Sequence, residues 1–126
     1  MYRFNSKIKK SKKIALVTEQ SFFCLSRHRL VVEARIPLAK ISKISLIKNS
    51  AALMQLSYEA DQDLPLETLK RTELIYFIVR QAEKYGWDKP KLQQATQLKI
   101  PKDRTTSVTV SFDTSKQQTI TQTKVL

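Results

Sequence analysis

Residues 71–86 read Arg71-Thr72-Glu73-Leu74-Ile75-Tyr76-Phe77-Ile78-Val79-Arg80-Gln81-Ala82-Glu83-Lys84-Tyr85-Gly86. Apolar residues recur at Leu74, Ile75, Ile78, Val79, Ala82 and Tyr85, the three-and-four spacing that lines one face of an α-helix. Thr72 or Thr68 is placed to cap its start. Glu73 near the start and Lys84 near the end both suit the helix dipole. Gly86, the only glycine, stands where a helix C-terminus takes a left-handed residue. The spacing predicts one helix over 71–85.

Everything before that helix has a shorter period. Ile14 to Thr18, Phe22 to Leu25, Leu30 to Ile36, Ile41 to Ile47, Ala52 to Tyr58 and Leu64 to Leu66 are short runs rich in β-branched and aromatic residues, separated by polar turns. Tyr2 to Ile8 supplies a first strand. In Ile41 to Ile47, Ile41, Lys43, Ser45 and Ile47 share one side, with Ser42, Ile44 and Leu46 on the other. Such runs predict a mainly β fold of about seven strands, an antiparallel barrel or sandwich closed by one C-terminal helix. Ile14, Leu16, Ile36, Ile44 and Leu56 are expected inside, with the Leu74, Ile78 and Tyr85 side of the helix packed on them. Beyond Trp87 the pattern weakens. Lys91 to Lys99 is ambiguous between strand and loop. Thr106 to Phe112 alternates Val108, Val110 and Phe112, as one more strand would. The Thr/Gln-rich segment from Asp113 on has few apolar residues, and alone it would be disordered. The expected division is a main domain over 1–100 and an extension over 101–126, with an edge strand and a polar tail.

The 126 residues include 23 Lys and Arg against 11 Asp and Glu, a net charge of +12. The surplus is concentrated at the start. Residues 1–50 carry twelve Lys and Arg and two acids, whereas residues 51–86 carry four and six. A field of this kind attracts anionic lipid, an acidic protein face or nucleic acid. Cys24 is the only cysteine, so no internal disulfide forms, as suits a reducing compartment. No run reaches the roughly 18 apolar residues of a membrane span. The start is basic but has no signal-peptide core. The expected location is the cytoplasm, peripheral to a membrane or to the cytoskeleton.

The order of motifs resembles one family. Basic residues Lys7 to Lys13 run into Ile14-Ala15-Leu16-Val17-Thr18, a strand ending in Leu-x-Thr. Ile36-Pro37-Leu38, Ile41-Ser42-Lys43-Ile44-Ser45 and Arg71-Thr72-Glu73-Leu74-Ile75 follow in turn. Over Phe4 to Tyr85 this is similar to the tail homology (TH1) domain of class I myosins, a pleckstrin-homology-like domain. The resemblance implies a pleckstrin-homology-like barrel capped by the helix near 71–85. It also implies a non-catalytic module docking to anionic phospholipid, phosphoinositide included, at a membrane or cytoskeleton interface. The chain contains no motor and no light-chain-binding helix. If Met1 is the natural start, it is a free-standing, motor-less relative.

Geometry places the candidate site. In a meander, alternate turns fall at the same end of the sheet, so the basic run before Ile14 and the turn Arg27-His28-Arg29 converge. The candidate anion-binding residues are Lys7, Lys9, Lys10, Lys12, Lys13, Arg27 and Arg29, since phosphate is held by several convergent N–H donors. Glu59, Asp61 and Asp63 form an acidic loop that would oppose phosphate if it bordered the same rim. Catalysis and metals find no support. His28 is the sole histidine, and Cys24 lies among apolar residues as a core thiol. Asp61 and Asp63 lack the other ligands and the glycine of a calcium loop, and one glycine cannot make a phosphate loop. The expectation is no enzyme, no cofactor and no metal. Nucleic acid is the less expected partner, because basic residues and aromatics are not interleaved for base stacking. The competing reading is a small basic structural subunit of a large assembly, such as a microtubule, ciliary or ribonucleoprotein complex.

Overall fold

A computed structural model of the chain describes residues 1–4, 10–48, 50–59, 62–101, 106–112 and 118–124, with backbone alone for Lys10 and from residue 98 onward. Seven strands precede the helix: β1 (Tyr2–Phe4), β2 (Lys10–Val17), β3 (Ser21–Ser26), β4 (Val32–Pro37), β5 (Ile41–Ile47), β6 (Leu53–Tyr58) and β7 (Gln62–Glu67). A single 3-10 turn, Leu38–Lys40, joins β4 to β5. The helix α1 (Arg71–Tyr85) follows, then β8 (Lys91–Ala95), β9 (Gln97–Pro101), β10 (Thr106–Phe112) and β11 (Gln118–Lys124). The helix bounds are those the apolar spacing predicted. Thr106–Phe112 is also a strand as expected.

The expected antiparallel barrel is not what forms. The main sheet has eight strands in the order β4-β3-β2-β1-β7-β6-β5-β8 and is open, with β4 and β8 at its two edges. It is also mixed, since β8 runs parallel to β5 with Ile44 opposite Leu92. The helix explains both departures. A strand reached from β7 through a helical crossover arrives pointing the same way as β7, and hence as β5. It then occupies the β5 edge that a closed barrel would have offered to β4. The last three strands make a separate sheet, β11-β10-β9.

The core lies between the inner face of this sheet and the helix. Phe22, Cys24, Ile36, Ile44, Met54, Leu56 and Leu66 have no exposed surface, and Ile78 of the helix joins them at 1%. Leu74, Phe77 and Trp87 pack against that cluster. The expected burial of Ile36, Ile44, Leu56 and Ile78 is therefore observed. Ile14, Leu16 and Tyr85 depart from it, being 39%, 50% and 41% exposed. Strand β2 can turn either alternate set inward. Its register sets Ala15 opposite Cys24 and Val17 opposite Phe22. Those partners are buried, so Ala15 and Val17 share the inner face, and Ile14 and Leu16 go to the outer one.

The helix is tied at both ends. Its N-cap, Lys70, makes no side-chain capping bond. Instead, Thr68 Oγ1 accepts from the Lys70 N–H (3.1 Å), and the Arg71 guanidinium donates to the Leu53 carbonyl on β6 (2.8 Å). At the other end Gly86 has φ 70 and its N–H donates to the Ala82 carbonyl, a left-handed cap that glycine makes at least cost. Gln81 donates to the Glu19 carbonyl (2.8 Å) and the Tyr85 hydroxyl to Glu19 Oε2 (3.1 Å). The helix thus connects β6 to the β2–β3 turn, spanning the inner face from one half of the sheet to the other.

Candidate anion-binding surface

The β3–β4 connection carries Arg27, His28 and Arg29, all exposed. Its geometry is set by Ser26. The Leu30 N–H donates to the Ser26 carbonyl (3.1 Å), the Ser26 N–H to the Val31 carbonyl (2.8 Å) and the Val31 N–H to Ser26 Oγ (3.1 Å). Next to this hairpin runs β2, with Lys13 opposite Ser26. That register places the start of β2 beside the basic turn, at the end of the sheet expected from the meander. The difference lies in the backbone: residues 10–13 belong to the strand itself rather than to a turn.

Of the seven expected anion ligands, Lys12, Arg27 and Arg29 are exposed. Among the described residues none of the three forms an ion pair. The Lys13 ammonium sits 2.9 Å from the Glu33 carboxylate of β4. Lys10 is described by its backbone alone, at the first position of β2, and Lys7 and Lys9 lie outside the described residues. In the acidic loop, Glu59 is 3.3 Å from the Lys40 ammonium and Asp63 accepts from the Ser57 hydroxyl at 2.6 Å. Both carboxylates are thus engaged locally. Asp61 lies outside the described residues.

Sequence reasoning missed the apolar surface beside these cations. On the outer face Ile14, Leu25 and Val32 form one cross-strand row, and Leu16, Phe23 and Arg35 the next. The Arg35 guanidinium lies 5.9 Å from the centre of the Phe23 ring. The signal was present as Lys12-x-Ile14-x-Leu16, a basic residue in phase with two apolar ones.

Among the described residues two clefts open away from the β3–β4 turn, one of them bordered by Lys13 and Ile14 of β2. One of about 850 Å³ runs over β5, β6 and β8 and is lined by hydroxyls and amides, Ser45, Gln55 and Gln93 among them, together with Lys43, Lys48 and Asp63. Gln93 donates to Ser45 Oγ at 3.1 Å. The other, about 900 Å³, opens beside the first helical turn among Lys13, Ile14, Val17, Leu69, Leu74 and Phe77. Among the described residues there is no group of His, Cys, Asp and Glu that could hold a metal.

The family model for the unconventional myosin tail, described as actin- and lipid-binding, matches residues 1–126. The chain belongs to this family. No curated protein matches it. Like the family, this tail domain is a non-catalytic docking module for membrane lipid or cytoskeleton. No helix among its described residues is long and apolar enough to cross a membrane.

Cys24 serves the core. Burial pushes its thiol above the usual value of 9.0, with Glu33 adding to the rise and Arg3 and Lys13 opposing it. A raised pKa leaves little thiolate near neutral pH, and the thiolate is the reactive form. In the folded tail domain Cys24 is expected to resist iodoacetamide at pH 7.5 and to react fully in denaturant, read by intact mass. Rapid native labelling would mean an exposed thiol. Tyr58 is also raised above its usual 10.0, chiefly by burial. Both shifts favour the protonated form. The stability they contribute is complete below the unfolded values, about 9 to 10, and is lost as pH rises through the folded ones.

Proposed function

We propose that this tail domain docks peripherally on anionic phospholipid through the basic end of β2 and the β3–β4 turn. The candidate ligands are Lys7, Lys9, Lys10, Lys12, Lys13, Arg27 and Arg29. The observation that supports the reading is the register of Lys13 opposite Ser26, which sets the start of β2 next to the basic turn, with Lys12, Arg27 and Arg29 exposed and without ion-pair partners among the described residues. Cations left unpaired at one end of a sheet are ready to take phosphate oxygens, and Arg does so with a planar fork. Each basic residue near an anionic surface adds about 1 kcal/mol, which salt screens. Useful affinity therefore needs several acting together.

Co-sedimentation with vesicles tests this. Binding is expected to phosphatidylserine-containing vesicles, more strongly to phosphoinositide-containing ones, and to fall steeply as salt is raised. Phosphatidylcholine vesicles should retain little protein. No sedimentation with any vesicle, or sedimentation indifferent to lipid charge, would overturn the proposal.

A further inference from the structure

The basic turn runs directly into Leu30-Val31-Val32, which are 62%, 54% and 50% exposed. Three consecutive apolar residues facing water at a hairpin end are unfavourable, and a loose loop would fold them back. This one is fixed by the three hydrogen bonds at Ser26. Leu30 is held at φ 54, a left-handed conformation that leucine adopts only at a cost. The apolar surface continues from the tip along the outer face through Val32, Leu25 and Ile14, then Phe23 and Leu16. Cations border it: Arg27 and Arg29 at the tip, Lys12 two residues before Ile14, and Arg35 beside Phe23. Glu33, the acid of β4, is engaged by Lys13.

We infer that the β3–β4 hairpin is a bilayer wedge, with Leu30, Val31 and Val32 entering the acyl boundary of an anionic membrane while Arg27 and Arg29 remain at its phosphates. This rests on the lipid-docking reading and adds a hydrophobic step to it. Two observations select a bilayer as the occupant. The apolar residues stand on the end of a hairpin rather than in a groove, so they fit a deformable medium. The flanking charge among the described residues is positive, which complements anionic headgroups at the depth where the apolar residues stop. An apolar face rimmed by Lys and Arg binds such an interface through buried area and electrostatics together.

The test separates the two steps. Leu30→Asn with Val31→Thr keeps every charge. Asn tolerates the left-handed conformation and Thr keeps the β-branch, so the fold is retained. Affinity for mixed phosphatidylcholine–phosphatidylserine vesicles is expected to fall by about tenfold or more. In parallel, Val31→Cys carries an environment-sensitive dye, since Cys24 is buried. Its emission should shift to the blue on vesicles and be quenched by quenchers attached to the lipid chains. If wild-type protein binds the vesicles while the double variant binds equally and the dye stays in water, the wedge is wrong and electrostatic docking stands. If wild-type protein binds no vesicle, lipid docking fails and the wedge with it. If the double variant binds vesicles normally but loses self-association in sedimentation velocity, the face joins copies of the chain instead, and the wedge is likewise overturned.

Discussion

Replacing Lys12, Arg27 and Arg29 together with Ala is expected to lower affinity for anionic vesicles about a hundredfold, with the fold unchanged. The magnitude follows from about 1 kcal/mol per basic residue at the surface, hence roughly 3 kcal/mol for three. The fold is spared because the three side chains are exposed, and exposed substitutions away from caps and networks usually change stability by less than about 0.5 kcal/mol. The control removes the same charge elsewhere, at Lys48, Lys70 and Lys91, which are also exposed. If net charge alone drives binding, both triples weaken it equally. A site at the β2–β3–β4 end makes the first triple lose far more. Arg29→Lys alone should also weaken binding where Arg29 holds a phosphate with two parallel bonds, because Lys offers a point charge instead. Raising the salt should narrow the gap between the two triples. Equal losses at every salt concentration would reduce the site to a diffuse basic surface.

Phe22→Ala is expected to cost about 3–5 kcal/mol in urea or thermal unfolding, enough to consume much of a small domain's stability. Phe22 has no exposed surface. It stands opposite both Val17 and Ile36, so truncation opens a cavity on the inner face between β2 and β4. Leu16, one position earlier on β2 and on the other face, is half exposed. Leu16→Ala should cost less than about 1 kcal/mol, since much of its surface already meets water. Equal costs for the two substitutions would mean that the outer face is covered in solution.

That pair also shows where the sequence could be read and where it could not. The helix was legible to the residue, because Leu74, Ile78 and Ala82 repeat with a helical period and Gly86 punctuates the end. Strand positions before it were also legible from β-branched runs and polar turns. The facing of β2 was not. Lys13-Ala15-Val17 and Lys12-Ile14-Leu16 are both plausible inner sets, and the larger residues gave the wrong answer. What decides is the register with β3, where Cys24 and Phe22 are the buried partners, and register is a long-range property. Strand β8 was hidden for a similar reason. Lys91-Leu92-Gln93-Gln94-Ala95 has little strand character of its own and takes its conformation from the β5 edge. Strand β11 was missed because Gln and Thr read as polar tail, although Thr is β-branched and suits a strand beside β10.

The candidate site was half legible. Charge clustering in two separated segments marked the basic end of the sheet. The apolar tip was in view as Leu30-Val31-Val32 but was read only as the start of the strand expected over Leu30 to Ile36, because apolar residues in a strand-like run ordinarily belong to a packed sheet. Nothing local distinguishes a run that packs from one that projects. The Ser26 hydrogen bonds and the edge position of β4 make that distinction.

The parallel pairing of β5 with β8 has a consequence for the order in which the molecule is built. Ile44 meets Leu92 across 48 positions of chain, whereas β2–β3, β3–β4, β5–β6 and β6–β7 are all joined by short links. Closing a long loop costs entropy before the contact repays it, so the local hairpins have the kinetic advantage. During synthesis β5 through β7 can assemble while the β5 edge has no neighbour, and that edge stays open until the helix and residues 91–95 have left the ribosome. Lys43 and Lys48, one within that strand and one just after it, place charge along a vulnerable margin, as edge strands commonly require. A nascent chain whose emerged part ends between residues 86 and 91 would present that margin to whatever strand is nearest.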